Sequence, residues 1–150
     1  MGISKAVITA AGPDQHTLPL QTLVDRNGQA KTALELIVSE AVSAGVEDVC
    51  VIIQPNDADA YSEAAGEHVG RLHFVKQFEP RGYADALNLA SDFVGDEPFL
   101  HLVSDHLYLS ATDASCARQL VEMANAEQCS VSAVQATREN LLPYFGTVNG

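Results

Sequence analysis

The chain has 150 residues, 47% of them hydrophobic, which is enough sequence and enough apolar side chain for one domain core. Against 8 Lys and Arg stand 20 Asp and Glu, a formal charge of -12; such a surface repels phosphate backbones and anionic membranes, so nucleic acid and membrane are not expected partners. No stretch nears the ~20 consecutive apolar residues of a membrane span, and the N-terminus runs directly into strand pattern, unlike a signal peptide.

Lys5-Ala6-Val7-Ile8-Thr9-Ala10-Ala11-Gly12 reads as a buried strand, a short apolar run that ends in three residues with almost no side chain. Small residues after a strand let a ligand come close to backbone N–H groups, or simply make a tight turn. Leu18 to Asp25 is a short apolar piece closed by the turn residues Asp25-Arg26-Asn27-Gly28. Thr32 to Ala44 reads as a helix with Leu34, Ile37, Val38 and Ala41 on one face, stopped by Gly45. Val49 to Ile53 is a continuous apolar run, the pattern of a strand covered on both faces.

A second helix opens at Pro55-Asn56-Asp57 and runs towards His68, and Leu72 to Gln77 alternates like a strand near a sheet edge. A third helix is expected from Tyr83 to about Gly95, and a fourth strand over Pro98 to Val103, leading into Ser104-Asp105-His106. A long helix from Thr112 to about Gln128 should turn Cys116, Leu120, Val121 and Met123 inward. Ser130 to Gln135 is expected as a fifth strand, and Gly146-Thr147-Val148 as the start of a sixth. Strands alternating with helices imply an α/β fold, a three-layer α/β/α sandwich around a mostly parallel, Rossmann-like sheet.

Candidate chemistry clusters where strands end. Asp105 follows a strand and can either hold Mg²⁺, which bridges phosphate oxygens, or cap the next turn. A divalent cation also suits a nucleotide site on so acidic a chain. Gln77 offers a donor and an acceptor suited to a base edge, and Gly82 permits close approach of a ring or ribose; a solvated Gln and a turn Gly are the plainer alternative. The histidines His68, His73, His101 and His106 lack metal-ligand spacing, although His106 and His16 would meet if both follow adjacent strands. Cys50, Cys116 and Cys129 lack C-x-x-C spacing and read as small buried hydrophobes in a reducing, cytoplasmic setting. A nucleophile elbow, a phosphate-binding G-x-x-x-x-G-K-[ST] and a dinucleotide G-x-G-x-x-G are all absent, which argues against hydrolase, ATPase and NAD-dependent oxidoreductase readings.

Taken together, these stretches resemble the N-terminal part of sugar-phosphate nucleotidyltransferases of the UTP–glucose-1-phosphate uridylyltransferase type. Lys5 to Gly12 and Leu18-Pro19 resemble the family's strand and its A-A-G-x-G-T-R-x-x-P; Leu23-Val24-Asp25-Arg26-Asn27-Gly28 resembles its L-V-D-x-x-G-x-P. Gln77 to Ala86 resembles Q-x-E-x-x-G-L-x-x-A, and Gly95-Asp96-Glu97-Pro98-Phe99 through Asp105 resembles G-D-E-P-F, a strand and a metal-binding Asp. The resemblance implies transfer of a nucleoside monophosphate from a UTP-like triphosphate to a sugar 1-phosphate, with release of pyrophosphate. It implies nucleotide contacts at Ala10, Ala11, Gly12, Gln77 and Gly82, Mg²⁺ on Asp105, and a catalytic place for His16, which stands where the family has an arginine. Asp14 stands where the family has its second loop glycine, and the loop is shorter by about ten residues. The chain is accordingly expected to be the N-terminal part of a longer family domain. A catalytically inactive nucleotide-binding or protein-interaction module of the same fold is the alternative, and oligomerisation is left open.

Overall fold

A computed structural model describes residues 2–148. Its centre is β1 (Lys5–Thr9), whose Ala6, Val7 and Ile8 are fully buried. A short 3-10 turn (Leu18–Leu20) leads to a hairpin of β2 (Thr22–Val24) and β3 (Ala30–Thr32). Asp25 makes its turn: one carboxylate oxygen accepts from the N–H groups of Asn27 and Gln29, and the backbone hydrogen bond from Gln29 leads the causes that lower the Asp25 pKa. This hairpin is absent from the sequence expectation, because strands of three residues carry too little alternation to be read.

Helix α1 (Ala33–Ser43) starts on a capping box: the Thr32 hydroxyl accepts from Glu35 N at 3.0 Å, and Glu35 Oε2 accepts from Thr32 N at 2.8 Å. It ends at Gly45, whose φ of 95° favours glycine. Next come β4 (Asp48–Ile53), α2 (Ala58–Ala64) with a 3-10 extension over Gly66–Arg71, and β5 (Leu72–Lys76). The helix expected after Gly82 is two short pieces, α3 (Tyr83–Asn88) and α4 (Ser91–Val94), which break around Leu89 and Ala90. β6 (Phe99–Val103) and α5 (Cys116–Glu127) follow.

The four main strands pair in parallel in the order β5-β4-β1-β6. β4 is covered on both faces, as its unbroken Val49 to Ile53 run requires, and β5 is the edge strand its alternation suggested. Ile8, Val51 and Ile53 pack with α1, α2 and α5 on one side; Val7, Cys50 and Ile52 pack with Ala86, Ala90 and Val94 on the other. These are the two outer layers of an α/β/α sandwich. The chain winds outward from β1 through β4 to β5, then returns across the sheet to lay β6 on the other side of β1. The order reverses between β1 and β6, and in such sheets ligands bind beyond the carboxyl ends of the strands at that reversal.

Three expectations need correction. Residues 130–135 form no strand, and neither do residues 146–148. Val131 is half-buried while Ala133 and Val134 are exposed, so the segment gains little apolar burial from lying near β6 and forms no ladder with it. Instead residues 130–133 border a cavity of about 680 Å³ with β6 and α5. In α5 the expected Leu120 and Val121 do pack on the core together with Ala117, but Met123 is 51% exposed; the helix starts at Cys116 on a Ser115 cap rather than at Thr112. Of the cysteines only Cys50 is buried, and burial pushes its thiol up to about 11; Cys116 is half-buried and Cys129 is exposed.

Candidate functional site

At the carboxyl ends of β1, β5 and β6 lies a cavity of about 370 Å³. Its wall brings together Ala11 and Gly12 from the loop after β1, Gln77 and Gly82 from the loop after β5, and Asp105 from the end of β6. Five of the seven residues singled out from sequence therefore meet at one place, although they are up to 94 positions apart in the chain (105 less 11).

The other two sit elsewhere. Ala10 is 2% exposed and continues the sheet, donating its N–H to Ile52 O at 2.8 Å, so it supports the cavity without lining it. His16 turns towards α2: its Nδ1 lies 2.7 Å from Asp57 Oδ2, and its carbonyl accepts from the buried Tyr61 hydroxyl at 2.6 Å. His106 bonds its own neighbour Asp105, Nδ1 to Oδ1 at 2.7 Å. The two histidines thus have different partners.

The loop after β1 is wound into a single turn, with Gln15 N and His16 N both donating to Gly12 O, at 3.1 and 3.0 Å. These two N–H groups are committed within the loop. No Lys or Arg occurs among the described residues lining the cavity, and His106 is their one basic side chain.

Across the cavity the arrangement is tighter. Gln77 is 8% exposed, and its amide nitrogen donates to Asp85 Oδ2 at 2.8 Å and more weakly to Gly82 O at 3.4 Å. A carboxylate only accepts, so the Asp85 contact fixes which end of the Gln77 amide is nitrogen. The Gln77 oxygen is left as the acceptor. Gly82 has φ of 100°, a conformation that side chains with a Cβ avoid, and this bends the chain into α3 beside Gln77.

Sequence reasoning missed a second feature of this wall. Tyr83 and Thr9 both line the cavity, and His101 lies between them: its Nδ1 is 3.0 Å from the Tyr83 hydroxyl and its Nε2 is 3.2 Å from Thr9 Oγ1. Burial lowers the His101 pKa and raises that of Tyr83. The period-two pattern of β6 does place His101 on the face of Val7 and Thr9, but nothing in the sequence says that Tyr83 reaches it.

For a divalent metal the donor set is narrow. Among the described residues no group of three or more His, Cys, Asp or Glu side chains converges as a metal cage. Asp105 stands as a single carboxylate whose side chain is 22% exposed at the cavity. Mg²⁺ keeps several waters and is commonly held by one or two carboxylates together with substrate phosphates. One carboxylate beside a cavity of about 370 Å³ fits that habit. Among the described residues no helix is long and apolar enough to cross a membrane.

Comparison with known proteins gives a consistent set of relatives. Residues 21–149 match the sequence profile of the family described as Nucleotidyl transferase. The UTP–glucose-1-phosphate uridylyltransferase YngB of Bacillus subtilis is 29% identical over 178 aligned positions, which take in 98% of this chain and 58% of that protein. A UTP–glucose-1-phosphate uridylyltransferase of Streptococcus pneumoniae is 28% identical, over 97% of this chain and 58% of its own length. This chain thus spans a little over half the length of those relatives. Among solved structures, a UDP-glucose pyrophosphorylase complexed with UDP-glucose superposes with a TM-score of 0.69 at 21% identity, covering 85% of this chain and 55% of that one. A UTP-bound enzyme of the same kind from Acinetobacter baumannii gives 0.65 at 24% identity, over 84% of this chain and 54% of its own. Likeness at such identity speaks to the fold.

Proposed function

Because this chain belongs to the nucleotidyl transferase family, we propose that it carries the nucleotide-binding part of an enzyme moving a nucleoside monophosphate from a UTP-like triphosphate to a sugar 1-phosphate. In that reaction a phosphate oxygen of the sugar phosphate attacks the α-phosphorus, the bond to the β-phosphate oxygen breaks, and pyrophosphate leaves. The observation that carries the reading is the convergence of Ala11, Gly12, Gln77, Gly82 and Asp105 on one cavity at the sheet's reversal point.

Each residue has a defined task. Gly12 and Gly82 let a ribose or base approach the main chain. Gln77, locked by Asp85, presents an acceptor that suits a ring N–H. Asp105 is the residue that would hold Mg²⁺, and the cation, when bound, would neutralise charge on the phosphates. His106, bonded to Asp105, is the basic side chain nearest that carboxylate in the cavity wall. The remaining catalytic effect is positioning of the two phosphates for in-line attack.

The test is pyrophosphate release from UTP, Mg²⁺ and glucose 1-phosphate, with the other triphosphates and sugar phosphates run in parallel. Turnover above background that disappears in Asp105→Asn supports the reading; turnover at background with every pair removes it.

A second reading, a nucleotide-binding module without transferase activity, is favoured by two observations: the cavity wall lacks Lys and Arg among its described residues, and His16 bonds Asp57. It predicts binding of nucleoside or monophosphate comparable to that of triphosphate, with no gain from Mg²⁺.

A further inference from the structure

Tyr83 stands in the cavity wall with 56% of its surface exposed, and an exposed tyrosine is normally free to sample several rotamers. Here it is not free. Its hydroxyl reaches back 3.0 Å to His101 Nδ1, and its ring meets the imidazole edge-on, with centroids 5.3 Å apart at 73°. The second imidazole nitrogen is engaged by Thr9, 3.2 Å away at the end of β1. His101 is opposite Val7 in the β1–β6 register, so Thr9 is its diagonal neighbour on the same face of two directly paired, rigid strands. The phenol is therefore tied to the sheet itself and not to another loop. The Tyr83 hydroxyl is what makes the link possible.

We propose that Tyr83 forms the side wall against which the bound nucleoside packs, and that His101, bracketed by Tyr83 and Thr9, is the positioning residue that fixes that wall. The inference rests on the nucleotide reading of the cavity but adds a binding residue and its support. A flat, apolar ring with its polar tip already bonded offers its face to a base or ribose and loses little rotamer freedom when the ligand arrives. Neutral imidazole has one donor and one acceptor, and both hydroxyls can take either part, so the chain is satisfied in either direction. Without the tether, the ring must be ordered at the moment of binding, and affinity falls.

The experiment measures uridine 5′-monophosphate binding by calorimetry without metal, and steady-state kinetics with UTP. Tyr83→Phe keeps the ring at an exposed position and removes only the tether, so folding is preserved. It should weaken UMP about 5-fold, the effect of one lost hydrogen bond, and raise KM for UTP with kcat unchanged. His101→Leu should give a similar loss, the double variant no more than the larger single loss, and His101→Gln should recover part of the affinity. Singles that bind like the wild type, losses that multiply in the double variant, or a wild type that does not bind UMP would each overturn the proposal. The two levels separate cleanly. Coupled losses in UMP binding without any turnover leave the wall standing and remove the transferase; normal turnover with unaltered UMP binding in both single variants does the reverse.

Discussion

On one side of the cavity, Gln77, Gly82 and Tyr83 are each held by something rigid: Asp85, a glycine-only backbone angle, and His101 on β6. On the other side, residues 13–17 wind back onto Gly12 and dock on α2 through His16, Asp57 and Tyr61. Both follow strand ends, and the first presents the Gln77 oxygen in a direction that Asp85 fixes. The difference is one of charge as well as order. A nucleoside needs shape and one or two hydrogen bonds, which a neutral wall supplies. A triphosphate needs cations, and among its described residues this wall has no Lys or Arg. On the proposed reading, the strand ends suffice to build a place for a base, whereas phosphate handling depends on charges that must come from elsewhere, a metal proposed on Asp105 first.

The largest effect should come from that carboxylate. Asp105→Asn is expected to lower kcat/KM for nucleotidyl transfer by at least ~100-fold, the range seen when a charge-stabilising contact is lost. UMP binding without metal should stay within about 2-fold, because the nucleoside side does not use Asp105. Parallel turnover assays and calorimetry separate the two. Equal losses in both would merge the halves and end the comparison.

Next in size is Asp85. Asp85→Ala frees the Gln77 amide to rotate and leaves its nitrogen, in an 8% exposed position, with only the weaker 3.4 Å contact to Gly82 O. Nucleoside affinity should fall about 10-fold, a lost hydrogen bond to a charged group being worth about 1.5–3 kcal/mol. Asp85→Asn still offers an oxygen and should lose less. Calorimetry with UMP reads both, and equal losses for the two variants would show that Asp85 does not orient the amide.

How far the sequence carried this picture follows from the same contrast. β1 and β4 were legible because strands buried on both faces must be continuously apolar, and α1 because Leu34, Ile37, Val38 and Ala41 recur at helical spacing. The candidate residues at strand ends were legible from small residues and lone polar groups in apolar surroundings. The strand expected at 130–135 misled, because alternation such as Ser130-Val131-Ser132-Ala133 states a preference that only a paired neighbour can realise. The break between α3 and α4 was hidden in a run of residues that all tolerate helix. Links such as His16 to Asp57, 41 residues apart, and Tyr83 to His101 could not be read at all, since they depend on how the layers stack.

A smaller effect should come from His16→Arg. The substitution places a permanent, forked cation on the loop, and Asp57 remains its nearest acid. A partly exposed charge at this position contributes about 0.2–1 kcal/mol, so UTP should bind up to about 5-fold tighter while uridine binding is unchanged. Competition between UTP and uridine measures this directly. Equal tightening of both would mean that the loop reaches the nucleoside side as well.

The smallest effect concerns the frame under both halves. His101 beneath the nucleoside wall and His68, bonded to Ser39 at 2.9 Å beside α1, both have pKa values lowered from 6.5, in each case chiefly by burial. The unfolded chain therefore takes up these protons at higher pH than the folded one. Their contribution is fully present above pH 6.5 and is lost as pH falls below it towards the folded values. Thermal unfolding from pH 7 to pH 5 should show Tm falling by roughly 2–4 °C for each 1 kcal/mol lost in a chain of this size. His68→Gln should flatten part of that slope without touching UMP binding, because His68 packs on the opposite face of the sheet from Tyr83. If His68→Gln weakened UMP binding as His101→Leu is expected to, the rigid strands would not insulate the two faces, and the nucleoside wall would owe its order to the whole sandwich and not to His101.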